Sequence, residues 1–403
     1  MQTKIYLISA IINAAASIPA YASYADSIPT GFHRMPQWHV EAGIGTSSVI
    51  ESNAFLKGKN SLQKSVDRCL STEIRAGFSF NSSTREGILY EGLYQGMGIG
   101  LTDFSPSGLL GTPVSAFIYQ GAPVVHINSR IWIGYEWQFG TDFGWKHYSP
   151  GNPLEENLSL STSVTAHMGL RMTFNYEMTP RWRAYAGVQL THSSNGNTSW
   201  PNGGVNTVGG AITIACTLNP EKHRDENTTT PAELFKTDYP RRWFYDIIAY
   251  GSTRKRVVNV GLPPERQLCP GHFAVAGFQF APMYRINRWV ATGGSLDFQW
   301  DEGAGLEPYW VEGTYHETLK FRRPPFLEQI GVGMAAHAQL TMPIFSIDAG
   351  LGYNIVNPHG DKRFYQSLTL KTFIIHRLYI NIGYRLGQFR DPQNLMLGIG
   401  IRI

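Results

Sequence analysis

Apolar and polar residues alternate along many short segments of this chain. Near the C-terminus, aliphatic residues occupy every second position: Leu395, Leu397, Ile399, Ile401 and Ile403. The same period of two recurs in several earlier segments: 131–139, 290–300, 330–340, 345–355 and 378–386. Successive side chains of a strand point to opposite faces, so this pattern predicts β-strands with one apolar and one polar face.

The first 22 residues have a different pattern. Lys4 precedes an apolar run over residues 5–18, and Ala20-Tyr21-Ala22 then provides a small-x-small cleavage site. This order predicts a secretory signal peptide over residues 1–22, with a mature chain that begins at Ser23. No later run of about 18 apolar residues without charges is found, so a transmembrane helix is not expected.

A secreted chain of alternating strands could be a soluble sandwich or an outer-membrane barrel. The 42 glycines, 13% aromatic residues and only 16% charged residues agree with a barrel. In lipid, strands must satisfy their backbone groups by closing on themselves, with the apolar face outward. We therefore predict an all-β, antiparallel outer-membrane β-barrel of about 16 strands, with a range of 12–16, over residues 23–403.

Arginine-aromatic pairs after tight turns indicate the orientation of this barrel. Arg181-Trp182 and Arg242-Trp243 begin predicted strands, and such pairs suit a membrane interface. With these turns on the periplasmic side, the loop that follows His192 lies at the outer surface. The polar segment 218–240 is then one unusually long periplasmic connection.

Charge and cysteine content narrow the possible partners. A net charge of +4 is small for 403 residues and gives no case for nucleic-acid binding. Three scattered cysteines do not form a metal-binding pattern, and we predict no metal site. Cys69 and Cys269 both end predicted outer loops, so they could form a disulfide if their strands are neighbours, whereas Cys216 lies at the opposite end.

Other polar residues lie on the inward phase of the predicted strands. They are expected to form a polar network that fills the barrel: Glu136, His167, Asp297, His337, Asp348 and Arg385.

One hairpin carries polar residues on the outward, lipid-facing phase. His192 and Ser194 continue the apolar face of the strand that precedes them, and Asn206 shares the apolar face of the next strand. Residues of like parity on paired antiparallel strands project to the same side, so all three should lie together. Lipid-facing positions are normally apolar, which makes this cluster a candidate site.

These residue types suit nucleophilic catalysis. Ser194 is the expected nucleophile and His192 the base that takes its proton. Asn206 can accept a hydrogen bond from the other ring nitrogen and so orient the imidazole. The backbone N–H groups of Asn195 and Gly196, with the Asn195 side-chain amide, are candidate oxyanion donors.

The hairpin resembles two kinds of outer-membrane lipid esterase. Its His192-x-Ser194-Asn195 string is similar to the His-x-Ser-Asn signature of the lipid A 3-O-deacylase (PagL, acyloxyacyl hydrolase) family, which precedes an Asn-x-Gly-x-Glu element. Here residues 202–206 read Asn-Gly-Gly-Val-Asn, so Asn206 stands where the family has an acidic residue. That change resembles the Ser-His-Asn triad of outer membrane phospholipase A. The resemblance covers this hairpin, and the chain is much longer than a typical deacylase.

The resemblance implies an outer-membrane serine esterase that removes ester-linked acyl chains from lipid A in the outer leaflet, without a cofactor. Two alternatives remain open from the residues. One is a phospholipase A-type hydrolase with the same triad, which implies phospholipid as substrate and a possible need for Ca²⁺. The other is a non-enzymatic porin-like or structural barrel in which the hairpin is incidental. Oligomeric state and acyl position stay open.

Overall fold

The computed structural model describes residues 36–403, except 82–86, 88–89, 91, 150–156, 221–241, 261–264, 288, 312–317, 343, 358–361, 375–376 and 390. The predicted signal peptide lies outside these residues, as does most of the predicted connection 218–240. In the part of the chain that is described, no helix is long and apolar enough to span a bilayer.

Sixteen long antiparallel strands form two closed barrels of eight strands each. The first barrel contains β1 (Gln37–Val49), β2 (Arg68–Ser79), β3 (Tyr94–Ser105), β4 (Gly111–His126), β5 (Ile131–Trp145), β6 (Val164–Glu177), β7 (Trp182–Ser194) and β8 (Val205–Thr217). It closes because β8 pairs with β1, with Cys216 opposite Val40.

The second barrel follows in the chain. It contains β9 (Trp243–Arg254), β12 (Phe273–Arg285), β13 (Val290–Asp301), β16 (Ile330–Thr341), β17 (Phe345–Val356), β18 (Phe364–Phe373), β19 (Leu378–Gly387) and β20 (Asp391–Arg402). It closes between β20 and β9, with Arg402 opposite Asp246. Its loops carry two short hairpins and a 3-10 helix: β10 (Val257–Val260) with β11 (Glu265–Leu268), β14 (Glu307–Val311) with β15 (Thr318–Arg322), and Phe326–Gln329.

The all-β antiparallel barrel fold is confirmed, and sixteen strands belong to barrels. The closure differs from the expectation of a single barrel over residues 23–403. Residues 218–242 join the two barrels instead of connecting neighbouring strands of one. A hairpin needs only a few residues between its strands, so the length of this connection was the local sign of a break.

Side chains fill both barrel lumens, as an eight-stranded barrel permits. In the first, the fully buried guanidinium of Arg75 forms ion pairs with Glu41 and Glu136. In the second, Lys371 Nζ lies 2.9 Å from Asp246 and 3.1 Å from Asp348. The six residues predicted to face the lumen are either buried in these networks or close to them, since none is more than 8% exposed. A sixteen-stranded barrel would enclose a wide aqueous channel, which such networks could not fill.

One end of the first barrel is covered by an apolar cluster from its loops. Phe55, Leu56 and Val66 of the β1–β2 connection pack with Leu110 and Leu160, all of them buried. Asn53 Nδ2 donates to Ser159 Oγ at 2.9 Å and ties two of these loops together. The end of the barrel that carries the β1–β2 and β5–β6 connections is therefore a packed surface.

The outward faces of the two barrels meet in an apolar contact. Trp137 of β5 packs against Phe345 of β17, with ring centroids 5.3 Å apart, and Tyr90 packs against Trp289 at 5.0 Å. Leu370 of β18 is buried in the same cluster. Elsewhere the outward faces expose aliphatic and aromatic side chains, as a lipid-facing surface requires.

The three cysteines are free, so the predicted Cys69–Cys269 disulfide is wrong. Cys69 belongs to β2 of the first barrel, whereas Cys269 follows β11 in the second, so their strands are not neighbours. Burial raises the pKa of the Cys269 thiol.

Candidate active site

The predicted hairpin lies at the ends of β7 and β8 in the first barrel. Ser194 is the last residue of β7, and His192 pairs directly with Asn206 across the two strands. Below them on the same outward face lie Leu190, 49% exposed, and Val208, 38% exposed. The structure therefore brings all three residues together on the lipid-facing side.

The imidazole of His192 bridges the other two residues. Its Nδ1 is 2.7 Å from Asn206 Oδ1 and its Nε2 is 2.9 Å from Ser194 Oγ. Because Oδ1 can only accept, Nδ1 carries the ring proton and donates a hydrogen bond to Asn206 Oδ1. Nε2 is then the unprotonated nitrogen, which accepts the hydrogen bond from the Ser194 hydroxyl. This is the tautomer that a general base needs.

The three residues of the triad differ in their exposure. Ser194 is 7% exposed, while His192 and Asn206 remain partly accessible. Gly204, at φ +69°, lies beside the ring, since a Cβ there would be 3.1 Å from His192 Cε1. A side chain at this position would be both strained and in contact with the imidazole.

Both predicted oxyanion donors on Asn195 already form hydrogen bonds. Its backbone N–H donates to Asn202 Oδ1 at 3.1 Å, and its side-chain amide donates to Ser161 Oγ at 2.7 Å. Gly196 is buried, and no acceptor for its N–H is found among the described residues. Gly196 is therefore the donor that this structure leaves available.

The residues that hold this loop were not predicted. Gly203 and Gly204 donate their backbone N–H groups to the carbonyls of Leu158 and Ser159, at 3.0 and 2.9 Å. Leu158, Ser159 and Ser161 all belong to the β5–β6 connection. The Asn-Gly-Gly run at 202–204 was the available signal, because asparagine and glycine favour turns. Nothing in the hairpin pointed to the neighbouring connection.

The second barrel also reaches the loop. A Cβ on Gly196 would lie 2.5 Å from Leu395 Cδ2, so Leu395 of β20 packs against the Gly196 backbone. The N–H of Lys255, just after β9, donates to the carbonyl of Asn197 at 3.3 Å. The loop that follows Ser194 is thus in contact with both barrels.

A serine-histidine-aspartate arrangement lies in the lumen of the second barrel. His337 Nδ1 is 2.6 Å from Asp348 Oδ1, and His337 Nε2 is 2.9 Å from Ser295 Oγ. None of these three side chains is more than 6% exposed. Lys371 also binds Asp348, so the arrangement is part of the lumen network.

The described residues contain no group of three or more His, Cys, Asp or Glu side chains placed to hold a metal ion.

Comparison with known proteins gives a family match over part of the chain. Residues 243–403 match the family model described as the C-terminal domain of acyloxyacyl hydrolase. The predicted resemblance is thus confirmed for a segment that corresponds to the second barrel, whereas the triad lies in the first. No match is found among curated proteins.

Several solved structures of outer-membrane proteins match this chain at low scores. Neisserial surface protein A is 11% identical, with a TM-score of 0.30, over 45% of this chain and 96% of that one. The siderophore receptor PirA from Acinetobacter baumannii is 10% identical, with a TM-score of 0.22, over 87% of this chain and 56% of that one. The hydrocarbon channel TodX is 8% identical, with a TM-score of 0.18, over 91% and 88%. These scores are low, and no functional inference rests on them.

Proposed function

We propose that this outer-membrane, acyloxyacyl hydrolase-like protein is a serine esterase that removes ester-linked acyl chains from lipid A. The observation that carries the proposal is the hydrogen-bonded chain from Ser194 through His192 to Asn206, on the lipid-facing side of the first barrel. The family match over residues 243–403 supports the same reaction class.

The reaction begins at Ser194. Its Oγ attacks the ester carbonyl carbon while its proton passes to His192 Nε2. The carbonyl oxygen becomes an oxyanion, and the Gly196 N–H, for which no acceptor is found among the described residues, is the proposed donor that stabilises it. When the intermediate collapses, the C–O bond to the sugar breaks and the leaving alkoxide takes the proton from His192. An acyl-serine remains.

Water completes the cycle. His192 removes a proton from a water molecule, whose oxygen attacks the acyl carbon, and the same proton then returns to Ser194 Oγ as the fatty acid leaves. The triad lies where β7 ends and β8 begins, beyond the apolar band of Leu190 and Val188. Water and an ester bond near the lipid headgroups would both reach this boundary.

Asn206 has an orienting role in this scheme. Its amide oxygen holds the Nδ1–H tautomer but carries no charge, so it stabilises the transient imidazolium less than a carboxylate would.

The lumens give no support to the porin-like alternative. Fully buried Arg75 and the Lys371 network occupy the barrel interiors, and the apolar cluster around Leu56 covers one end of the first barrel.

The test uses the purified protein folded in detergent micelles. Lipid A and a diacyl phospholipid are supplied separately, and released fatty acids are measured by mass spectrometry. We expect fatty acid from lipid A with wild-type protein and none with Ser194→Ala. Release from phospholipid alone, particularly if EDTA abolishes it, would replace the lipid A proposal with the phospholipase one. No release from either substrate would overturn the esterase proposal.

A further inference from the structure

The loop that follows Ser194 has two supports of different origin. One is the first barrel's own β5–β6 connection, through Ser161 and Asn195. The other is the second barrel, through Leu395 and Lys255. We propose that Leu395 of the second barrel is a positioning residue for the first barrel's active site, because it holds Gly196, the oxyanion donor, in place.

The contact between Leu395 and Gly196 is close and specific. Three atoms of the Leu395 side chain, Cγ, Cδ1 and Cδ2, lie 2.5 to 3.1 Å from the point where a Cβ of residue 196 would be. A Cβ at residue 196 would force this leucine to move. Gly196 also has φ +62°, in the left-handed region that disfavours most other residues. Both the packing and the backbone conformation therefore favour glycine.

The backbone beside this contact is joined to the second barrel as well. Asn197, the next residue, has φ +62° and accepts the hydrogen bond from Lys255 N–H. Leu395 and Lys255 therefore contact two consecutive residues, Gly196 and Asn197, that both have a left-handed backbone. Removal of these contacts would let the turn relax while the His192 hydrogen bonds remained.

The second barrel thus has a role at the site although its own Ser295, His337 and Asp348 are enclosed. Without this contact, the donor for the developing oxyanion would rest on the first barrel's loops alone. An oxyanion donor acts only in the transition state, so its misplacement lowers kcat and leaves KM unchanged. This inference rests on the proposed esterase function.

The test compares Leu395→Ala and Leu395→Met with Leu397→Ala. Leu397 lies on the same outward face of β20 two residues further on and is 45% exposed, so it is a matched control. With a micellar ester substrate, we expect Leu395→Ala to lower kcat by about 10-fold with KM unchanged, which is less than the roughly 10²–10³-fold loss for complete removal of an oxyanion donor. Leu395→Met should restore most of the activity, since methionine fills similar volume. Leu397→Ala should behave as wild type.

Hydrogen exchange of the peptide that covers residues 195–204 provides a readout independent of catalysis. We expect faster exchange at this peptide in Leu395→Ala than in wild type or Leu397→Ala. If the wild type proves inactive, faster hydrogen exchange in Leu395→Ala would still show that Leu395 stabilises the loop. In that case the esterase proposal alone fails. Unchanged exchange and unchanged kcat in Leu395→Ala would overturn the positioning role. A parallel rise in KM, or equal losses in Leu397→Ala, would assign the effect to lipid contact instead.

Discussion

Two serine-histidine arrangements in this molecule have nearly the same hydrogen-bond distances and very different surroundings. Ser194 and His192 lie at the end of β7, on the outward face, whereas Ser295 and His337 lie in the lumen of the second barrel. The serine-histidine distance is 2.9 Å in both. Distances alone therefore do not distinguish a candidate site from a structural network.

The backbone next to each serine makes the difference. Ser295 is in the middle of β13, paired with Ala335 of β16, and is only 6% exposed. Ser194 ends its strand, and the turn that follows leaves the Gly196 N–H available for a substrate oxyanion. The third residue differs as well, since it is the uncharged Asn206 in the first arrangement and Asp348, which also binds Lys371, in the second. Catalysis needs a place for the substrate and a donor for its charge, and we propose that the first arrangement has both.

The largest effect is expected from Ser194→Ala. It removes the nucleophile and should lower ester hydrolysis by roughly 10³-fold or more. Ser193→Ala is the matched control, because Ser193 points into the lumen and donates to Asp142 at 2.5 Å. Labelling with a fluorophosphonate, which reacts with activated serines, should be lost in Ser194→Ala and retained in Ser295→Ala. Labelling of Ser295 would reverse the comparison.

A smaller effect is expected at Asn206. Asn206→Ala removes only the acceptor that orients His192, so activity should fall by about 10²-fold, the lower end of what a general base contributes. Asn206→Asp should keep or raise activity, because a carboxylate also stabilises the imidazolium. Initial rates with lipid A would measure both. Full activity in Asn206→Ala would remove this residue from the mechanism.

The lumen arrangement should affect stability and not turnover. His337→Ala leaves the buried Ser295 hydroxyl without its histidine partner and Asp348 with Lys371 alone, which should cost about 1–3 kcal/mol of folding free energy. The apparent Tm in detergent should fall, while ester hydrolysis per folded molecule stays at the wild-type level. A loss of turnover without a change in Tm would give His337 a catalytic role.

Accessibility should separate the two regions in intact cells. A cysteine at position 197 should react with a membrane-impermeant maleimide, because Asn197 is partly exposed at the outer loop. A cysteine at position 295 should stay unmodified until the barrel unfolds, and the native cysteines are first replaced by serine. Protection of position 197 in intact cells would place the triad on the periplasmic side and favour an inner-leaflet phospholipid substrate.

The face of each strand could be predicted from the sequence because it depends on neighbouring residues. Side-chain parity alone placed His192, Ser194 and Asn206 on one surface, and it placed Asp348 in a lumen. Barrel closure depends instead on which distant strand pairs with β8 and β9. Period two is the same in one barrel of sixteen strands and in two of eight, so the pattern could not decide between them.

The site was predictable to a similar depth. The triad lies within one hairpin, where local spacing determines the geometry. The two donors of Asn195 form hydrogen bonds with Ser161, which belongs to another connection, and with Asn202 across the loop. The contact from Leu395 comes from the last strand of the chain. Such contacts arise only when the two barrels pack, and no local pattern reports them.

Residues 218–242 join two barrels that, as separate chains, would have to find each other by diffusion in the membrane. A covalent connection makes this encounter intramolecular and gives the partner surface a high effective concentration. The packing of Leu395 on Gly196 is then maintained at any density of the protein in the bilayer. Turnover per molecule should accordingly be the same in sparse and crowded membranes, so that control of this activity falls to substrate supply and not to assembly.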